Sequence, residues 1–177
     1  MDAKNNIMGC LSKNQNVVVV SKSLNYEQTM MDMHKAVSKE FKKICMVTLN
    51  KPSSALVKKF QEEGIDYSNY CFIDCVPSKE KVGESKQDTY VSSPSSLTEL
   101  MLTIDKIKKI HQIDLMILDN ISSLLIYNKD VIVLKFLHSL MTRIRQTDTK
   151  VIYSILQKDM KGPMEDISLF ADAVIKA

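Results

Sequence analysis

A chain of 177 residues, 45% hydrophobic and 25% charged, has the make-up of a folded globular protein and excludes a disordered or collagen-like one. Its formal charge of +3 rests on 22 lysines and two arginines, Arg143 and Arg145, against 21 acids. That is a solvated Lys/Glu surface rather than the arginine-rich face that grips phosphates and bases, so dedicated nucleic-acid binding is not indicated.

In chain order, residues 1–15 hold Asp2, Lys4, Asn5, Asn6 and Asn14 and no apolar run long enough for a signal peptide or a membrane span. They are read as the polar, partly ordered amino-terminal segment of a single domain covering 1–177, and the protein is expected to be cytoplasmic with no membrane partner. The four cysteines then sit in a reducing compartment as thiols. Asn16 to Val20 is apolar without alternation, as a strand covered on both faces should be. A helix over about 26–43 follows, with Met30, Met33, Val37 and Phe41 on one stripe and lysines largely opposite.

Ile44 to Leu49 reads as the second strand. Pro52 starts a short helix that Gly64 ends in the position favoured for a left-handed cap. The third strand is Cys71 to Val76. Cys71 and Cys75 stand about 13 Å apart on an extended chain, whereas two thiolates on one zinc lie about 4 Å apart. His34, His111 and His138 occur singly and are read as helix-surface or boundary residues, so no metal cage is expected. Residues 77–94 carry little that could enter a core, and a loop of that length is usually functional or mobile.

Ser95 to Glu99 opens a helix with a hydroxyl near the cap and an acid in the first turn, and Leu97, Leu100, Met101, Ile104 and Ile107 form its buried stripe. Leu115 to Asp119 is a strand that is apolar until its final acid. Leu124 to Tyr127 leads into a helix over about 129–146, whose Val131, Ile132 and Leu134 widen the apolar arc beyond what one sheet face needs. Val151 to Leu156 and Ala171 to Ile175 complete six strands. Alternation of this kind predicts a three-layer αβα sandwich around a mainly parallel six-stranded sheet.

Ligands of such sheets sit beyond the carboxyl ends of the strands. The segment Ser21 to Thr29 after the first strand contains no glycine, although a phosphate-cradling loop needs G-x-x-x-x-G-K-[ST] so that backbone N–H groups converge. Thr29 stands where the magnesium-binding hydroxyl would be, with Gln28 and Glu27 at the Lys and second Gly positions. Lys22 could supply a cation, and Asp119 could hold the water shell of magnesium; a solvated loop lysine and a turn-capping acid are the structural alternatives. Asn50 and Lys51 occupy the place of a water-polarising carboxylate, and neither can accept a proton at neutral pH.

The order strand, helix, Ile44–Leu49 strand, helix, Gly64-Ile65-Asp66-Tyr67 and Tyr70–Val76 strand resembles the ATPase domain of the RecA superfamily in its KaiC-like branch. Tyr90 to Leu100 and Leu118 to Tyr127 further resemble uncharacterised archaeal members of that branch. The resemblance implies a RecA-like sheet and matches Asp119 to the family's Walker B acid, while the Walker A loop and the catalytic Glu pair depart from the pattern. RecA-like subunits lacking these motifs, such as those of Elongator, are assembly components, an analogy of fold alone.

The expectation is therefore a non-catalytic module with no catalytic residue and no cofactor, acting through a homo-oligomer or a RecA-like ATPase partner. The alternative is a nucleotide-binding protein or weak ATPase that holds Mg-ATP on a vestigial site of Lys22, Thr29 and Asp119. Single-stranded nucleic-acid binding would require positive grooves with stacking aromatics, and few such residues are available.

Overall fold

The computed structural model describes residues 3–76 and 89–177. The chain runs α1 (Ala3–Leu11), β1 (Asn16–Ser21), α2 (Tyr26–Glu40), β2 (Ile44–Thr48), α3 (Ser53–Glu62), β3 (Tyr70–Asp74), β4 (Thr89–Tyr90), α4 (Leu97–His111), β5 (Leu115–Asp119), α5 (Ile121–Tyr127), α6 (Asp130–Ile144), β6 (Lys150–Leu156), α7 (Ile167–Phe170) and β7 (Ala173–Lys176), with two short 3-10 turns between β6 and α7. All seven strands are parallel, in the order β4-β3-β2-β5-β6-β1-β7.

Valine, isoleucine and leucine dominate β1, β2 and β5 because both faces of these strands are covered, and every residue in them is buried. Val17, Val19, Ile44, Met46, Ile117 and Ile152 face α1, α2 and α3. The alternate positions Val18, Val20, Cys45, Val47, Leu118 and Tyr153 face α4, α5 and α6. Gly64 has φ +65°, the left-handed turn at which α3 ends.

The three-layer arrangement matches the alternation in the sequence, but the sheet has seven strands rather than six. The extra one, β4, is only two residues long, too short for any periodicity to reveal. Of the loop expected over 77–94, residues 77–88 lie outside the described ones. At the amino end, Ile7 and Leu11 are spaced i, i+4 on α1 and are both 1% exposed, so part of the segment read as polar belongs to the core against α2.

His34 overturns its expected surface placement. It lies on the buried stripe of α2 between Met30 and Val37 and is fully buried. Its ring meets Phe60 edge-on with centroids 4.8 Å apart, and Nδ1 lies 3.1 Å from the Tyr70 hydroxyl. His138, by contrast, is exposed and tilts against Phe170. Among the described residues no helix is long and apolar enough to cross a membrane.

Candidate functional site

Three neighbouring strands end in a polar residue at the same level, and a fourth, β6, carries one beside them before its own end at Leu156. Thr48 on β2 is in register with Asp74 on β3 and with Asp119 on β5. Ser154 follows one step beyond the Leu118–Tyr153 pair, beside Asp119. Strand side chains alternate, so these four, with Ser21 at the end of β1, share the face that carries α2 and α3. All five are buried. Among the described residues the hydroxyls of Ser21, Thr48 and Ser154 have no aligned hydrogen-bond partner.

Each acid in this row has a different task. Asp74 serves the backbone: Oδ2 accepts from Ser53 N at 2.7 Å, capping the first turn of α3, and Oδ1 accepts from Val76 N at 2.9 Å. The Asp119 side chain instead turns toward α2, where Oδ1 accepts a hydrogen bond from the Tyr26 hydroxyl. Turn capping falls to the next residue, for Asn120 Oδ1 accepts from both Ser123 N and Ser123 Oγ at 3.1 Å and starts α5. Ser122 Oγ accepts from Leu156 N at 3.0 Å and ties α5 to β6.

Burial raises the Asp119 carboxyl above the usual carboxylate range, against the opposing effects of Tyr26, Ser154 and Lys51. The Ser154 hydroxyl favours the Asp119 charge by its proximity without the alignment of a true hydrogen bond. Burial first, and then the neighbouring Asp119 charge, push the Tyr26 phenol well up, so it remains a neutral donor.

The segment from Ser21 to Thr29 is a short turn that runs into α2. Asn25 N donates to Lys22 O at 3.0 Å, and α2 begins at Tyr26, one turn before Thr29. Lys22 is exposed and Thr29 is buried. It is therefore Tyr26, and neither Lys22 nor Thr29, that the hydrogen bonds connect to Asp119. Glu27, which follows it, forms ion pairs with Lys59 and with Lys51 at 3.4 Å. The Lys59 hydrogen bond, with the charges of both lysines, holds its carboxyl below the usual range. Lys51, standing where a water-polarising acid would be, thus faces a carboxylate of its own chain. Among the described residues no group of three or more His, Cys, Asp or Glu is placed to hold a metal ion.

In structure the chain matches 172 solved protein chains. One is a KaiC-like protein from the hyperthermophilic archaeon Pyrococcus horikoshii OT3, with a TM-score of 0.63 over 92% of this chain and 70% of that one at 12% sequence identity. The fold is KaiC-like. No family model matches the chain, and no curated protein matches its sequence.

On this KaiC-like scaffold the wide apolar arc of the sequence divides. Val133, Phe136, Leu137 and Leu140 are buried against the sheet. Ile126 and Tyr127 are 75% and 57% exposed, and Val131 and Ile132 are about half exposed. Ile132 also shares a cavity of about 580 Å³ with Leu102, an exposed residue of α4. Large apolar side chains grouped in this way mark contact surfaces more often than isolated ones do.

Neither Tyr26 nor the buried hydroxyl row was singled out from sequence, although a signal existed. Ser21, Thr48, Asp74, Asp119 and Ser154 are each a polar residue at or near the end of an apolar run, two positions beyond a core residue of the same face.

Proposed function

We propose that this chain is a RecA/KaiC-like module with a degenerate phosphate loop that does not hydrolyse nucleotide and acts through contacts with other proteins, as a homo-oligomer or beside a RecA-like ATPase. The observation carrying this reading is the Tyr26 hydroxyl on Asp119. The acid that would organise magnesium is already engaged by a side chain from the segment that would have to cradle phosphate. A glycine-free turn and the Glu27 carboxylate oppose a triphosphate further, because each missing charge-assisted contact costs about 1.5–3 kcal/mol. The apolar surface of Ile126, Tyr127, Val131 and Ile132 supports the assembly role.

Light scattering during gel filtration tests it. At tens of micromolar the expected mass is a multiple of 20.1 kDa, and an Ile126→Ser, Ile132→Ser double variant, which alters exposed positions, should return to one copy with its melting temperature nearly unchanged. A strict monomer that recovers no partner overturns the proposal.

The competing reading, a Mg-ATP site using Lys22, Thr29 and Asp119, draws support from the buried hydroxyls that withdrawal of Tyr26 would uncover. Ligand at 100 times its dissociation constant stabilises a protein by about 2.7 kcal/mol, or about 5–10 °C for a domain of this size. A melting temperature unmoved by millimolar Mg-ATP removes that reading, and a rise that Asp119→Ala abolishes would install it.

A further inference from the structure

At the opposite, amino-terminal end of the sheet two cysteines face each other. Cys45 and Cys71 are in register on the adjacent strands β2 and β3, and both belong to the core on the α4 side. Neighbouring strands lie about 4.8 Å apart, within the Cα separation of about 4.4–6.8 Å that a disulfide spans. Cys75 stands four residues further along, roughly 13 Å from Cys71 at the rise of an extended chain. Cys10 belongs to α1 on the other face of the sheet. Only Cys45 is therefore within bridging reach of Cys71.

Cys71 also has a route to solvent. Although 5% exposed, it lines a cavity of about 220 Å³ together with Lys42, Lys43, Ser68, Asn69 and His111, and no carboxylate lines that cavity. A hydroperoxide group is little larger than water, which occupies about 30 Å³ in the liquid. Lysines at the rim favour a thiolate over a thiol. Cys45 is fully buried and does not line that cavity. Its thiol is pushed well up, first by its hydrogen bond with Cys71, then by burial and by charge on Cys71. Of the two, Cys71 is the sulfur that the cavity brings toward solvent.

We propose that Cys71 and Cys45 form a redox-sensitive pair that a hydroperoxide converts into a disulfide, with Cys71 as the sulfur attacked first. The Cys71 thiolate displaces hydroxide from the peroxide: the O–O bond breaks, an S–O bond forms, and the sulfur is oxidised by two electrons to sulfenic acid. The Cys45 sulfur then attacks the sulfenic sulfur and expels hydroxide, which leaves with the Cys45 proton as water. In total two thiols and one hydrogen peroxide give one disulfide and two waters.

Cβ atoms of paired parallel residues lie about as far apart as the strands, whereas a disulfide holds them at about 3.5–4.5 Å. β3 must therefore draw inward by about 0.3–1.3 Å, and among the described residues only the two-residue β4 pairs outside it. A bridge made under such strain is readily reduced, as reversible disulfides are.

The test exposes the full chain to hydrogen peroxide under native conditions, followed by non-reducing digestion with an enzyme that cuts before Asp74 and so separates Cys71 from Cys75. The expected product is a peptide pair joined through Cys45 and Cys71, lighter by two hydrogens and restored by dithiothreitol. Cys45→Ala should leave Cys71 as a sulfenic acid that dimedone labels, and Cys71→Ala should leave Cys45 unlabelled. A Lys42→Glu, Lys43→Glu double variant should slow the reaction about fivefold at low salt. A link to Cys10 or Cys75, dimedone on Cys45 first, no reaction, or a rate no faster than global unfolding overturns the proposal.

Discussion

Tyr26 and Asp119 lie 93 residues apart in the chain and share one hydrogen bond, from the phenol of α2's first residue to the carboxylate that ends β5. The bond joins the beginning of a helix to the middle of the sheet. It satisfies an acid that is otherwise among apolar neighbours and hydroxyls without partners. Tyr26→Phe keeps the ring and removes the donor, leaving Asp119 buried without its partner, which costs about 1–3 kcal/mol. Urea unfolding at pH 7 should show that loss, and an unchanged midpoint would mean that the bond contributes nothing to stability.

Asp119→Asn separates the charge from the hydrogen bond, since an amide oxygen can still accept from Tyr26. The folded-state carboxyl titrates above its ordinary value of 3.8 because of burial. Protonation therefore favours the folded state: the stability this group contributes is present below pH 3.8 and is lost as pH rises through the raised value. The asparagine variant should gain on the order of 1 kcal/mol over the parent at pH 7 and lose that advantage near pH 4. Parallel unfolding curves from pH 4 to 8 decide the matter, and a constant difference between the two proteins would contradict it.

Asp74 closes the other end of the polar row through two backbone N–H groups, Ser53 and Val76. Removing it leaves both donors without that acceptor and takes the cap from α3. Asp74→Ala should destabilise the chain by about 2–3 kcal/mol, while Asp74→Asn, which keeps an acceptor oxygen, should lose about half of that. Equal losses in the two variants would show that charge rather than acceptance matters at this position.

The sheet was legible in the sequence because its strands are apolar on both faces and separated by helical periods, and the boundaries of β1, β2 and β5 fall within a residue or two of the periodic signal. β4 escaped because two residues carry no period, and α1 because only Ile7 and Leu11 anchor it. The Ser21–Thr29 segment, glycine-free in the sequence, is a short turn that runs into α2. Its link to Asp119 was hidden, because Tyr26 is adjacent to Asp119 only through the β1–α2 turn and the register of β5. In the same way the turn-capping role that the sequence left open for Asp119 falls to Asn120, and Asp119 takes the tyrosine. His34 was misplaced because one imidazole on an apolar stripe carries no mark of the aromatic neighbours, Phe60 and Tyr70, that come from α3 and β3.

Enclosed by those neighbours, His34 is an acid-sensitive group of the α2 face. Burial pushes its pKa from 6.5 down to about 3, and among the described residues Nε2 has no hydrogen-bond partner. Because the folded value is depressed, the neutral ring contributes stability that is fully present above pH 6.5 and is lost as pH falls toward 3. Below pH 6.5 the loss approaches about 1.4 kcal/mol per pH unit, opposed near pH 4 by the gain from protonating Asp119. His34→Phe removes the titration while leaving the Tyr70 hydroxyl without its partner, so it should be about 1 kcal/mol less stable than the parent at pH 7. Its stability should nevertheless overtake the parent's between pH 6 and 5, as read from urea midpoints. Parallel curves for the two proteins through that interval would show that His34 is not the group whose protonation unfolds the chain.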